Sequence, residues 1–139
     1  MSREQNIATQ QIGGEIGGTR DFDRFDEVFA QNVIDHDGAE GQAPGVEGIK
    51  EYWRSLNESF PDFKLDVDVF DANDDYVFFA YRLSGTHTGE YLGYAPTGRR
   101  FEVRSLQISK FEDGKCVERW GATDILGILT QLGLVRTPS

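Results

Sequence analysis

The chain has 139 residues, of which 38% are hydrophobic and 12% aromatic, which is typical of one globular domain over residues 1–139 and excludes a disordered chain. Acidic residues number 24 against 14 basic ones, and the net charge of −10 disfavours nucleic acid and anionic membranes as partners, because phosphate contacts need clustered cations. The single cysteine, Cys116, excludes an internal disulfide and a thiolate metal cluster.

The first part of the chain predicts helices. A first helix covers 3–16 and ends at Gly17-Gly18, because glycine is a frequent helix terminator. Asp21 caps a short second helix that reaches Phe29. Residues 32–37 predict a brief strand or extended turn, and 38–45 a loop. The strongest helix signal covers 46–60, where apolar residues recur at spacings of three and four: Ile49, Tyr52, Trp53, Leu56 and Phe60.

From residue 63 the apolar period changes to two, which predicts strands. Phe63, Leu65, Val67 and Val69 form the buried side of the first strand, and a second strand covers 76–86. Strands over 99–111 and 115–124 flank the Asp113-Gly114 turn, and residues 125–132 predict a closing helical turn. Helices followed by antiparallel strands predict an α+β domain with helices on one face of a curved sheet.

Asp124 is the first candidate for chemistry. It ends the last predicted strand and directly precedes the apolar pair Ile125-Leu126. Such an aspartate either caps the following helix or acts as an acid/base group in a pocket, where burial would raise its pKa. The sequence leaves these two roles open.

The chain has two histidines, His36 and His87. Asp35 and Asp37 flank His36, but on an extended segment both face away from it, so the three residues do not form a dyad. His87 lies in a glycine-flanked loop, where it either organises the loop or lines a pocket. His36, His87 and Asp124 have the residue types of an iron site, yet their spacing matches no metal-ligand motif, so we expect no metal.

Other residues could line a pocket for a flat aromatic substrate. Aromatic rings offer stacking faces with polar rims, and polar residues alternate with apolar ones on the long strand, so that one face could be the inner wall of a ligand-binding sheet. Core packing and solvent exposure explain the same patterns. The substrate-binding candidates are His87, Gln107, Ser109, Trp53, Tyr52, Tyr91 and Trp120.

Several short segments together resemble the SnoaL-like polyketide cyclases, also known as ester cyclases. They occur in the family's order from about residue 5 to 135. The segments are Val33-Ile34-Asp35-His36-Asp37, Pro44-Gly45-Val46-Glu47-Gly48, Phe60-Pro61-Asp62, Gly85-Thr86-His87-Thr88-Gly89-Glu90, Pro96-Thr97-Gly98-Arg99-Arg100, Phe111-Glu112-Asp113-Gly114-Lys115 and Trp120…Asp124…Gln131-Leu132-Gly133.

The resemblance implies the nuclear-transport-factor-2-like fold, a cone in which N-terminal helices wrap a strongly curved antiparallel sheet around a pocket. It implies a cofactor-independent enzyme that closes a ring by intramolecular aldol addition, with Asp124 at the position of the family's general acid/base. His36 and Gln107 match polar pocket positions, and we take His36 as the second catalytic candidate. Ser109 stands where the aldol cyclases carry a histidine, which bears on the reaction more than on the fold.

Three alternatives remain open at this stage: a non-catalytic module that binds a small molecule, a hydroxylase, and an epoxide hydrolase. The last needs an Asp–Arg–Asp relay, for which Arg82 or Arg104 would have to point inward. We expect a small hydrophobic or aromatic substrate and no cofactor, and the resemblance implies a homodimer or higher homo-oligomer that pairs through the outer face of the sheet. Because the sequence lacks a signal peptide and a membrane-spanning run, we expect a cytoplasmic protein.

Overall fold

The computed structural model describes residues 2–136 and confirms the predicted α+β class. The elements follow one another in the order α1 (Arg3–Thr19), a 3₁₀ helix (Phe22–Glu27), β1 (Phe29–Asp35), α2 (Gly45–Ser59), β2 (Lys64–Ala72), β3 (Tyr76–Thr86), β4 (Arg100–Glu112), β5 (Lys115–Thr123) and α3 (Ile125–Gln131). No helix in this described part of the chain is long and apolar enough to cross a membrane.

The five strands form one open sheet in the order β1-β5-β4-β3-β2. Strands β2 to β5 pair antiparallel, as predicted, but β1 pairs parallel to β5 and makes the sheet mixed. The sequence predicted a brief strand or extended turn over 32–37, and β1 covers Phe29–Asp35. The parallel partner lies more than 80 residues away in the sequence, so local pattern could not reveal the pairing.

Alternation along β4 defines the two faces of the sheet. Phe101, Val103, Ser105, Gln107, Ser109 and Phe111 are buried, while the residues between them are exposed, apart from the half-buried Lys110. We call the buried side the inner face and the other the outer face. Apolar residues of α1, the 3₁₀ helix, α2 and α3 join those of the inner face in a single core.

The first two helices differ from the prediction. Helix α1 continues through Gly17-Gly18 to Thr19, and Arg20 terminates it with a φ of 66°. Gly17 is buried, and a Cβ there would come within 3.8 Å of Leu65, so tertiary packing carries the helix past the glycines. Phe29 begins β1 instead of ending a helix.

Bulges shift the register of two strands. In β2 the shift lies between Val67 and Val69, and both side chains are exposed, by 55% and 65%, although alternation placed them on the buried side. In the β4–β5 pair the shift lies between Lys110 and Phe111, which leaves Val117 as the extra residue of β5. Beyond this bulge Arg119, Gly121 and Thr123 pair with inner-face residues of β4.

Candidate functional site

An ion pair lies on the inner face where β1 and β5 run side by side. Arg119 Nη1 donates to Asp35 Oδ1 at 2.7 Å, and Arg119 Nη2 donates to Gln107 Oε1 at 3.0 Å. Gln107 Nε2 then donates to Ser109 Oγ at 3.0 Å. The side chains of Arg119 and Asp35 are 19% and 11% exposed, so the pair keeps some contact with solvent. We call Asp35, Arg119, Gln107 and Ser109 the inner network.

Asp35 has its carboxylate oxygens engaged from three sides. Oδ1 also accepts the backbone N–H of Asp37 at 3.2 Å, and Oδ2 accepts Gln42 Nε2 at 3.1 Å. Asp37 in turn accepts the backbone N–H of Gly121 at 2.9 Å. Asp35 therefore holds Arg119 in place, because each of its oxygens already has a donor.

Tyr52 is an aromatic residue that lies close enough to Arg119 and Asp35 to feel their charges. Tyr52, on α2, is half-buried, and burial raises its pKa, with Tyr81 and Tyr91 adding to the effect and Arg119 opposing it. Tyr52 is thus a neutral hydroxyl at neutral pH. Burial also raises the pKa of Tyr91, while Trp53 packs against Phe25 and Phe63. The inner network and Tyr52 together offer hydrogen-bond partners and a ring face, the chemistry that an oxygen-bearing aromatic compound requires.

Asp124 is exposed and caps helix α3. Its Oδ1 accepts the backbone N–H of Gly127 at 2.8 Å, the bond expected of a helix N-cap. Among the described residues Asp124 forms no ion pair and no hydrogen bond to either histidine. Within residues 2–136 its second carboxylate oxygen accepts no hydrogen bond, and Asp124 lies at the end of the strand that carries Arg119.

His36 and Trp120 lie on the outer face, away from the inner network. Their rings stack at a centroid distance of 4.7 Å and an interplanar angle of 7°, and His36 Nε2 lies 3.3 Å from Glu118 Oε1. This differs from the pocket location predicted for both residues. The bulge at Val117 explains why Trp120 faces outward. Without the bulge, Trp120 would pair with the inner-face residue Gln107 instead of the outer-face residue Ile108.

His87 is fully buried between Phe60 and Tyr91. Its Nδ1 accepts the backbone N–H of Thr97 at 3.2 Å, so in the neutral ring the proton sits on Nε2. Nε2 has no hydrogen-bond partner among residues 2–136. His87 thus ties the loop after β3 to the loop before β4, the organising role that the sequence left open.

The other predicted residues fall into two groups. Gln107 and Ser109 belong to the inner network, whereas Arg82 and Arg104 extend from the outer face towards Asp68. An inward arginine relay through Arg82 or Arg104 is therefore wrong. Within the described range, no three side chains of the metal-ligating types lie close enough to hold a metal ion.

Sequence reasoning missed Asp35 and Arg119 as site residues. Asp35 was considered only as a neighbour of His36, and Arg119 was not considered at all. A regular ladder from the Asp113-Gly114 turn would place Arg119 on the outer face, and only the bulge turns it inward. The acidic pattern Asp35-His36-Asp37 was the one available signal.

A family model of the SnoaL-like polyketide cyclases matches residues 10–132. The aklanonic acid methyl ester cyclase AcmA of Streptomyces galilaeus is 34% identical over 70 residues, which are 50% of this chain and 49% of that protein. The same enzyme type from Streptomyces peucetius, DnrD, is 32% identical over 69 residues, 50% of this chain and 48% of that one. The chain spans about half the length of the curated relatives it matches.

Solved structures extend the similarity to nearly the whole chain. IdmH from Streptomyces antibioticus, described as a candidate polyketide cyclase, is 32% identical with a TM-score of 0.80, over 93% of this chain and 99% of that one. TsrD from Streptomyces laurentii has a TM-score of 0.88 at 24% identity, over 97% and 99% of the two chains. The second comparison shows the shared fold alone.

Proposed function

The chain belongs to the SnoaL-like polyketide cyclase family, and from that premise we propose that it is a cofactor-independent enzyme for aldol-type ring closure. Its substrate would be a hydrophobic polyketide or ester that carries carbonyl groups. The observation that supports this proposal is the inner network, a set of hydrogen-bonded polar groups on the inner face of the sheet, close to the phenol of Tyr52.

Asp124 is the acid/base group that we propose. The resemblance to the cyclases assigns this role to its position, and one of its carboxylate oxygens has no hydrogen-bond donor in the described part of the chain. Asp35 is less suited to accept a proton, because Arg119, Gln42 and the backbone of Asp37 occupy its oxygens. His36 is given no step, since its ring stacks on Trp120 at the outer face.

The reaction would then use one carboxylate twice. Asp124 takes a proton from the carbon between two activating groups and leaves an enolate. The enolate carbon attacks the second carbonyl carbon of the same molecule, one C–C bond forms, and the new alkoxide takes the proton back from Asp124. Such proton transfer contributes about 10²–10⁴-fold in rate, and holding both ends of the substrate together contributes the rest.

The variant Asp124→Asn tests this proposal. Asparagine keeps a side-chain oxygen for the Gly127 N–H, so the cap survives while the carboxylate is lost. The first substrate to test is aklanonic acid methyl ester, the compound named for the two curated relatives, in buffer with EDTA. We expect kcat to fall by about 10²–10⁴-fold with the melting temperature unchanged.

Asp21→Asn is the matched control, because Asp21 is also exposed and directly precedes a helical segment. It removes the same charge and should leave kcat unchanged. Turnover by Asp124→Asn close to that of the unmodified protein would contradict the proposed step. Binding of the ester with no turnover by the unmodified protein would favour the non-catalytic binding module.

We also propose that the protein forms a homodimer through the outer face. Exposed apolar side chains cluster there, and they line an open groove of about 530 Å³. Ion pairs of both charge signs lie farther along the same strands, with Arg82 and Arg104 near Asp68 towards one end and Lys110 near Glu112 towards the other. A two-fold dimer needs such a self-complementary surface.

A further inference from the structure

We propose that Arg119 is a substrate-binding residue that holds an anionic oxygen, a carboxylate or an ionised enol, of an aromatic substrate. This inference rests on the proposed function, because it describes the other end of the molecule on which Asp124 would act. The enzyme-family resemblance assigned no role to Arg119. The assignment comes from its contacts on the inner face.

The first argument concerns the donors of the guanidinium group. Asp35 accepts one bond from Nη1 and Gln107 accepts one from Nη2. Neither contact is a two-bond fork, which is the arrangement that matches a carboxylate best. The other N–H groups of Arg119 have no recorded acceptor in the described part of the chain, and 19% of the side chain is exposed.

The second argument concerns the space that Gly121 leaves. Gly121 lies two residues after Arg119 on the same face, and a Cβ there would come within 2.7 Å of Arg119 Nη2 and 3.6 Å of Cζ. The guanidinium therefore lies over Gly121 along the inner face. Asp35 and Gln107 hold it there from both sides, so its position is fixed before a ligand arrives.

The third argument concerns distance. Asp124 follows Gly121 by three residues, about 10 Å along the chain, and lies just past the end of β5. It therefore lies beyond the alternating inward positions Arg119, Gly121 and Thr123. A cation at that distance fits the far end of a flat compound with several rings, while the reacting carbon lies near Asp124. The protein has a net charge of −10 and therefore repels anions in general. The positive charge of Arg119 opposes this repulsion at one place on the inner face, so an anionic group of the substrate would bind there selectively.

The experiment measures binding with two fluorescent probes of the same shape, anthracene-2-carboxylate and its primary amide. We expect the unmodified protein to bind the carboxylate about tenfold more tightly, because hydrogen bonds to an ionised acceptor are the stronger ones. In Arg119→Gln the preference should vanish while amide binding remains. In the double variant Asp35→Asn/Arg119→Gln, which leaves no buried carboxylate unpaired, the result should be the same.

Arg104→Gln is the matched control, since it removes the same charge from the outer face and should keep the preference. Equal affinities of the unmodified protein for both probes, binding of neither probe, or a preference that survives Arg119→Gln would each overturn the inference. Loss of the preference in Arg104→Gln as well would also overturn it, because the effect would then be one of general charge. A further outcome separates the two proposals. If the unmodified protein closes no ring but its preference for the carboxylate probe still depends on Arg119, the cyclase proposal fails and the inference about Arg119 stands.

Discussion

Gly121 determines the position of Arg119 at the scale of single residues. Its missing side chain provides the space in which the guanidinium lies, and the nearest atom to an added Cβ is the flexible end of that side chain. An added methyl group would therefore push first against Arg119, and it would also come within 3.3 Å of the backbone oxygen of Leu106.

We expect Gly121→Ala to lower the free energy of unfolding by about 1–3 kcal/mol, because the added methyl group displaces the guanidinium from Gln107 and also presses on the backbone oxygen of Leu106. The same variant should lose most of the preference for a carboxylate probe, since Arg119 can no longer reach Gln107. Urea unfolding and probe titration measure the two effects. A variant with full preference for the carboxylate would contradict the described position of the guanidinium.

Cys116 is a second single residue whose surroundings predict its chemistry, namely an unreactive thiol. It is fully buried, and burial raises its pKa to about 12 from an ordinary value of 9.0, although its contact with Ser109 opposes the shift. We expect slow alkylation by iodoacetamide at pH 9 in the folded protein and fast alkylation in urea. Equal rates in both states would contradict the burial.

The same shift predicts a pH dependence of stability. An unfolded thiol ionises near pH 9, whereas the folded one keeps its proton up to about pH 12. The folded state therefore binds more protons in this window, and the contribution of Cys116 to stability, complete below pH 9, is lost as pH rises towards 12. Urea unfolding of the protein and of Cys116→Ala across this range measures the difference.

At the scale of elements, the structural role of Asp124 as the cap of α3 can be measured separately from its proposed chemical role. The cap bond to Gly127 stabilises a helix of 7 residues, which is too short to be stable on its own. We expect Asp124→Ala to lower the free energy of unfolding by about 1 kcal/mol and Asp124→Asn to leave it nearly unchanged. Chemical denaturation of both variants measures this, and equal losses would contradict the cap.

The sequence predicts which segments are helices and which are strands. It does not predict which side chains of β2 and β5 point inward, because both strands contain a bulge. The helix over 46–60 and the four antiparallel strands follow from periodicity, because one apolar stripe or one alternating face fixes each type. The bulge at Val117 left no local signal, yet it reverses which side chains point inward. Arg119 therefore points inward and Trp120 outward, opposite to the faces that a regular ladder would give them.

The candidate site shows the same limit. Gln107 and Ser109 were predicted because β4 alternates regularly from end to end. Asp35 was missed because its partner Arg119 follows 84 residues later and pairs through a parallel strand. Asp124 was predicted with both of its possible roles, and the structure shows the cap, while its chemical role stays a prediction.

At the scale of the whole molecule, the outer face presents an apolar surface that a folded monomer would leave in water. Leu106 and Ile108 are 54% and 40% exposed at its centre. Contiguous apolar surface of this kind marks an interaction site more often than a free one. The proposed dimer would cover it.

We expect Leu106→Glu to convert the protein to a monomer, because paired carboxylates would be buried across a two-fold axis. Glu102→Gln, a change on the same strand that adds no charge, is the control. Sedimentation velocity measures the mass of both. A monomeric unmodified protein, or a dimeric Leu106→Glu, would contradict the proposed interface.

The two proposals assign proton transfer to Asp124 and orientation of the substrate to Arg119. Steady-state kinetics of two variants are the most direct test of this assignment. In steady-state ring closure of the methyl ester with EDTA present, Asp124→Asn should lower kcat with little change in KM. Asp35→Asn/Arg119→Gln should instead raise KM with a smaller loss of kcat, because it weakens binding that is shared by substrate and transition state. Unchanged kcat in the first variant, or unchanged KM in the second, would contradict the division of roles.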